Sequence, residues 1–156
     1  MSVALTLATL EHAETVLSLV SAFHAEEGLN RSDEARADGV LPLLKGTPHG
    51  ALYLVGPLRA PIGYVALGFG WSIEFGGNDG FIDELYIRPP VRRRGLASEV
   101  LRALPVALAA AGVTALHLEV DSTNTAARRL YESAGFKPRA PYQLMTRTLS
   151  APMSGT

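Results

Sequence analysis

The run Arg88-Pro89-Pro90-Val91-Arg92-Arg93-Arg94-Gly95-Leu96-Ala97-Ser98 carries the clearest chemistry in the chain. It joins an apolar stretch that reads as a strand (Phe81 to Ile87) to one that reads as a helix (Ala97 to Ala111). A strand-to-helix turn of this kind leaves backbone N–H groups unpaired at the helix start, at the positive end of the helix dipole, where they suit phosphate. Taken alone, the three arginines fit a solvated basic surface equally well. A nucleoside-triphosphate loop is excluded, because no Lys-Ser/Thr pair follows Gly95. Gly68-Phe69-Gly70-Trp71-Ser72-Ile73 fails as a dinucleotide fingerprint, because Ile73 stands where the third glycine belongs.

The elements that must position this turn follow from hydropathy and breakers. Val3 to Leu7 alternates as a short strand, and Thr9 can cap a helix to about Glu27, with Leu10, Ala13, Leu17, Val20 and His24 near one face. Ser32 can cap a second helix, Asp33 to about Leu44, with an interruption expected near Gly39 and Pro42. Ala51 to Val55 and Ile62 to Glu74 read as strands, Phe75 to Gly80 as a turn and Phe81 to Ile87 as the next strand. Beyond the basic turn and its helix come a strand (Ala115 to Val120), a helix (Thr123 to Ala134) stopped by Gly135, and a final strand (Tyr142 to Leu149). Pro105 should kink the third helix or end it early, since an interior proline costs ~3 kcal/mol if unrelieved. The order is β-α-α-β-β-β-α-β-α-β, a mixed α/β sheet.

Composition bounds the function. The 156 residues are 47% hydrophobic and 19% charged, which fits one folded domain over residues 1–150 with a loose tail at 151–156. The net charge of −1 argues against a nucleic-acid binder. With no cysteine there is no disulfide, thiolate metal site or thiol nucleophile. The N-terminus lacks a signal-peptide pattern and no window resembles a membrane span, so a cytoplasmic protein is expected. The four histidines (His12, His24, His49 and His117) show no metal spacing; they read as structural or solvated, and no metal is expected.

Three segments together resemble the GNAT superfamily of acetyl-CoA-dependent N-acetyltransferases. They are Asp83-Glu84-Leu85-Tyr86-Ile87 running into Arg88-Pro89, the loop Arg92-x-x-Gly95-x-Ala97, and Asn124-Thr125-Ala126-Ala127 leading to Leu130-Tyr131 and Gly135-Phe136. The resemblance covers about residues 50 to 150. It implies an α+β-type mixed, mostly antiparallel sheet flanked by about four helices. It also implies an enzyme that moves the acetyl group of acetyl-CoA to a small amine or a peptide, and family members often form homodimers. The coenzyme pyrophosphate would lie on the turn Arg92, Arg93, Arg94, Gly95, Leu96, Ala97 and Ser98. The pantetheine arm would pair with the backbone of Leu85, Tyr86 and Ile87, with Asn124 as a further partner, and the Ile87 amide would polarise the thioester.

The resemblance assigns Tyr131 as proton donor to the departing thiolate; the alternative is a tyrosine packed in the core. Asn124 has an alternative as a helix cap. Acetyl transfer needs a neutral amine, and a lysine-like amine with pKa ~10.4 is protonated at neutral pH; a carboxylate in the acceptor cleft can take its proton, often through water. Glu84 is the first candidate; Asp83, on the opposite sheet face by strict alternation, and Glu74 are the others. The resemblance implies that Arg31 to Leu44 and Trp71 to Gly80 choose the acceptor; they carry Asp33, Glu34, Asp38 and Glu74, which points to a cationic acceptor. The rival reading is an acyl-CoA-binding regulatory domain without turnover.

Overall fold

The computed structural model describes residues 3–150, and its centre is one five-stranded sheet. The strands β1 (Leu5–Leu7), β2 (Gly50–Val55), β3 (Gly63–Ser72), β4 (Gly77–Ile87) and β5 (Ala115–Leu118) lie side by side in chain order. β1 to β4 pair antiparallel and β5 pairs parallel to β4, the mixed, mostly antiparallel sheet expected. α1 (Ala13–Glu26) and α2 (Asp33–Leu44) cover one face, where Val16, Val20, Val40 and Leu44 meet Leu52, Leu54, Tyr64 and Tyr86. α3 (Leu96–Ala110) covers the other, where Val100, Leu101, Leu104 and Leu108 meet Val55, Val65, Leu67 and Ile82. α4 (Thr125–Ser133) packs beside α3. Residues 151–156, expected as a tail, lie outside the described residues.

Both prolines sit inside helices that do not break. α3 runs through Pro105 and α2 runs through Gly39 and Pro42. Four buried side chains hold α3 against the sheet, each contributing roughly 1.5–3 kcal/mol, which outweighs the ~3 kcal/mol of one proline. α2 starts as its sequence suggests, with the Ser32 hydroxyl accepting from the Ala35 N–H at 3.1 Å.

Two expectations are corrected. Phe75 to Gly80 is not all turn: the reversal falls at 73–76, and Gly77–Gly80 already belongs to β4, paired with Ser72 to Phe69. These glycines serve close approach. A Cβ at Gly77 would lie 3.0 Å from Thr114 Cγ2, and one at Gly80 would lie 3.1 Å from Leu116 Cδ1, so they let β5 sit against β4. The final strand over Tyr142 to Leu149 is absent; the segment is exposed and pairs with nothing in the described chain, and a strand without a partner has no ladder to stabilise it.

One irregularity in β4 positions the site. Leu67 pairs with Ile82 and Ala66 with Glu84, so Asp83 is an extra residue, a β-bulge. Ile82 and Leu85 consequently both face α3 although they are three residues apart, while Asp83 and Glu84 lie between them towards α1. The expected alternation that would separate the two acids does not hold.

Gly63 sets how closely β3 and β4 approach, since a Cβ there would overlap the Tyr86 carbonyl oxygen. Gly63→Ala should lower stability by about 1–3 kcal/mol, whereas Gly39→Ala, in a helix with nothing within 4 Å of the new methyl, should raise it slightly. Thermal unfolding of the two variants checks the contrast.

Candidate active site

β4 keeps β5 as a neighbour only from Asp79 to Ile82; beyond that point the strands part. The Arg88 N–H bonds to the Ile62 carbonyl at 2.8 Å, on the β3 side. Strand alternation then turns the backbone groups of Leu85 and Ile87 away from β3, into the gap. The gap opens into a groove of about 520 Å³ walled by Leu85, Tyr86 and Ile87 of β4, by the turn into α3, by the end of α1 and by α4.

The turn is built from two residues with left-handed backbone, Arg93 (φ 63°) and Gly95 (φ 75°). For Gly95 this conformation costs nothing, and nothing lies within 4 Å of where its Cβ would be, so the groove reaches the backbone there. Gly95 is the N-cap of α3 and supplies no side chain to its first N–H groups; the first backbone bond of the helix is from Glu99 N–H to Gly95 O at 3.0 Å. The amides of Leu96, Ala97 and Ser98 therefore stand without helical acceptors at the groove wall, an arrangement chemically suited to an anion.

Of the expected site residues, Leu85, Tyr86, Ile87, Arg92, Arg93, Gly95, Leu96, Ala97, Ser98, Asn124 and Tyr131 all reach the groove. Arg94 is exposed and is not part of its wall. The Arg92 side chain is spent on the protein itself: Nε donates to the Ile87 carbonyl at 2.7 Å, Nη2 donates to Glu26 Oε2 at 2.7 Å, and the guanidinium lies 5.6 Å from the Tyr86 ring centre. It ties the free end of β4 to α1, and its hydrogen bond holds the Glu26 carboxyl below the usual carboxylate range. Asn124 caps α4, its Oδ1 accepting from the Ala127 N–H at 3.0 Å, which leaves the amide NH₂ as a donor beside the groove. Tyr131 is half-buried, set edge-on to Phe136, and burial pushes its hydroxyl pKa up, so it stays protonated through the neutral range.

The acids divide sharply. Glu84 Oε1 accepts from the Tyr64 hydroxyl at 2.8 Å, and Oε2 lies 2.7 Å from His24 Nε2. Burial and the Glu84 charge raise the Tyr64 pKa, which fixes that hydroxyl as a donor. Asp83 makes no such bonds and its side chain is solvent-accessible, yet its carboxyl is pushed up by burial in the concave surface, then by the charges of Glu84 and Glu119, with His24 opposing. Glu74 is not brought to the site. It pairs with Arg139 at 2.9 Å and lies beyond the start of β4, about 23 Å of strand from Glu84. Asp33 is likewise paired, with Arg36.

His24 is what the sequence reading missed. Its Nε2 faces Glu84 and its Nδ1 is buried without a partner. The partner lies 60 residues away, so no local spacing could reveal the pair. His117 similarly meets Asp79 at 3.2 Å. Among the described residues no group of His and acids has the arrangement of a metal site, and no helix is long and apolar enough to cross a membrane.

The chain is similar to known proteins in sequence and in fold. The model of the acetyltransferase (GNAT) family matches residues 16–136, and the chain belongs to that family. A [ribosomal protein bS18]-alanine N-acetyltransferase from Haemophilus ducreyi is 42% identical over 52 residues, which are 33% of this chain and 36% of the relative. The match thus spans about a third of the relative's length. Among solved structures, the integron cassette protein HFX_CASS3 from the mobile metagenome of Cole Harbour Salt Marsh superposes with a TM-score of 0.80 at 28% identity, covering 95% of this chain and 91% of that one. AAC(6′)-Iy, in complex with the bisubstrate analogue CoA-S-monomethyl-acetylneamine, shares the fold with a TM-score of 0.75 at 16% identity, over 96% of this chain and 100% of that chain.

Asp83 carries a testable signature. Its carboxyl pKa is raised in the fold, so the folded state favours the protonated form, and the stability this provides is lost as pH rises through the folded pKa. Asp83→Asn should therefore raise the thermal midpoint at neutral pH, and the gain should vanish as pH falls below the ordinary carboxylate range. Thermal melts of both proteins across pH 3 to 8 measure this.

Proposed function

We propose that this GNAT-family chain, read as one domain over residues 1–150, transfers the acetyl group of acetyl-CoA to a primary amine of a small molecule or peptide by direct attack. The observation that supports this most is the groove, in which the open edge of β4 and the uncapped start of α3 face the same space. An elongated ligand with a polyanionic end and an amide-bearing arm fits that pairing of surfaces, and acetyl-CoA is such a ligand.

The pyrophosphate lies against the amides of Leu96, Ala97 and Ser98, with Arg93 supplying charge. The pantetheine arm takes the place β5 vacates and bonds to the backbone of Leu85 and Ile87, as an added strand does at a sheet edge. The Asn124 amide NH₂ donates to it. The Ile87 N–H meets the thioester oxygen and stabilises the negative charge that grows there. Arg92 holds the Ile87 carbonyl and so braces the end of the strand that carries that N–H.

Glu84 takes the proton of the incoming ammonium, directly or through water, and His24 and Tyr64 keep its carboxylate oriented. The neutral amine attacks the thioester carbon; the C–N bond forms, the C–S bond breaks, and Tyr131 gives its proton to the leaving sulfur, while the acylated nitrogen sheds its second proton, which passes through water to restore Tyr131. Without a cysteine in the chain, no thiol acyl-enzyme intervenes. Asp83, Glu84 and Glu119 make the acceptor side negative, which favours an acceptor that carries a cationic group besides the reacting amine. A cytoplasmic setting suits a supply of acetyl-CoA.

Acetyl-CoA turnover against a panel of peptide amines, polyamines, amino acids and aminoglycosides tests the reading. Acetyl-CoA binding with no amine acetylated would contradict it. Tyr131→Phe should keep coenzyme affinity within a few fold and lower kcat by ~10²–10⁴. Gly95→Val should abolish coenzyme binding, since a β-branched residue is strained at φ 75° and its side chain fills the approach to the backbone; Arg93→Ala should only weaken it.

A further inference from the structure

Two carboxylates line a groove that the phosphates of a coenzyme would enter. Glu26, the last residue of α1, and Glu27 after it stand in the same wall as the first amides of α3. An acid at that place is disfavoured twice, because it meets the negative end of the α1 dipole and repels an incoming polyanion. Arg92 answers both acids. Its Nη2 donates to Glu26 Oε2 at 2.7 Å, and the charges of Glu26 and Glu27 together favour the charged guanidinium.

The two arginines of the groove wall are therefore used differently. Arg93 is exposed and has no ion pair among the described residues. Arg92 lies in the same wall, yet its described contacts are all with the protein: the Glu26 carboxylate, the Tyr86 ring and the Ile87 carbonyl. The last of these has a counterpart across the strand. The Arg88 N–H, in the same peptide group as the Ile87 carbonyl, bonds to the Ile62 carbonyl at 2.8 Å. The peptide at the open end of β4 is thus held from β3 on one side and from Arg92 on the other. A pyrophosphate beside it competes for the guanidinium, since a bond between two charged groups is stronger than one to a neutral carbonyl. With no carboxylate to hold it, Arg92 would leave Ile87 as the phosphates arrive.

We infer, on the acetyl-CoA reading of the groove, that Glu26 is a positioning residue: it withholds Arg92 from the coenzyme phosphates and keeps it on the Ile87 carbonyl. Glu26 lowers coenzyme affinity and in exchange steadies the strand end that meets the thioester. The same turn of α1 carries His24, two residues before Glu26, with Nε2 at 2.7 Å from Glu84 Oε2. The end of α1 is therefore fastened to β4 at two points, at Glu84 through His24 and at Ile87 through Arg92. One helix end then sets the proton-accepting carboxylate and the thioester-binding backbone relative to each other.

Calorimetric titration with coenzyme A and the infrared carbonyl band of bound acetyl-CoA, isotope-labelled at the thioester carbonyl, test this together. Glu26→Ala should bind coenzyme A about three- to tenfold more tightly than the unaltered chain, and the gain should shrink as salt rises. Glu26→Ala introduced into an Arg92→Ala chain should bring little of that gain. The carbonyl band should lie at higher frequency in Glu26→Ala than in the unaltered chain, because the thioester oxygen is less polarised. Glu26→Gln, which keeps an oxygen for Arg92 Nη2 but no charge, should fall between the two on both measures. A loss of fold or a merely local structural role would weaken coenzyme binding instead. Equal or weaker binding by Glu26→Ala would overturn the inference, and so would an equal gain without Arg92 or a carbonyl band that stays in place. An unaltered chain that binds no coenzyme A would overturn the acetyl-CoA reading of the groove along with it.

Discussion

The parting of β4 from β5 after Ile82 is the constraint on which the rest of this molecule depends. A sheet normally pairs every interior backbone group, and this one leaves the edge of Leu85 and Ile87 open in the middle of the fold. That opening is useful only if it is rigid, and three devices make it so. Gly63 lets β3 press against the other side of β4 at Tyr86. Arg92 closes over the Ile87 carbonyl and anchors it to Glu26 of α1. The buried face of α3, through Val100, Leu101, Leu104 and Leu108, pins the helix whose first amides complete the groove.

The bulge at Asp83 supplies the electrostatics. The bulge places two acids in succession on the α1 side, and the fold answers them differently. Glu84 receives a hydroxyl and an imidazole, so its charge is held in place. Asp83 receives neither, and its ionised form costs stability in the neutral range. The acids that the sequence offered as acceptor contacts, Asp33 and Glu74, are instead neutralised locally by Arg36 and Arg139.

Legibility followed the range of the interactions. The basic turn, the helix after it and the Asn124–Tyr131 helix are local patterns, and residues of all three line one groove. Arg94 stood out for its charge, but its side chain points to no part of the groove wall. The role of Arg92 could not be read locally, because Glu26 lies 66 residues before it. His24 was invisible for the same reason. The bulge escaped because alternation says nothing about an extra residue opposite Ala66 and Leu67. Gly77 and Gly80 read as turn residues because glycine's use in close strand approach has the same signature. Tyr142 to Leu149 was read as a strand from its pattern alone, and the pattern could not say what it would pair with.

The central claim is that backbone amides, rather than the arginine side chains, grip the coenzyme. Amide resonances followed by NMR during titration with coenzyme A test it most directly. The largest shifts should fall on Leu85, Ile87, Leu96, Ala97 and Ser98. Saturable binding that leaves these amides unmoved while shifting residues elsewhere would contradict it.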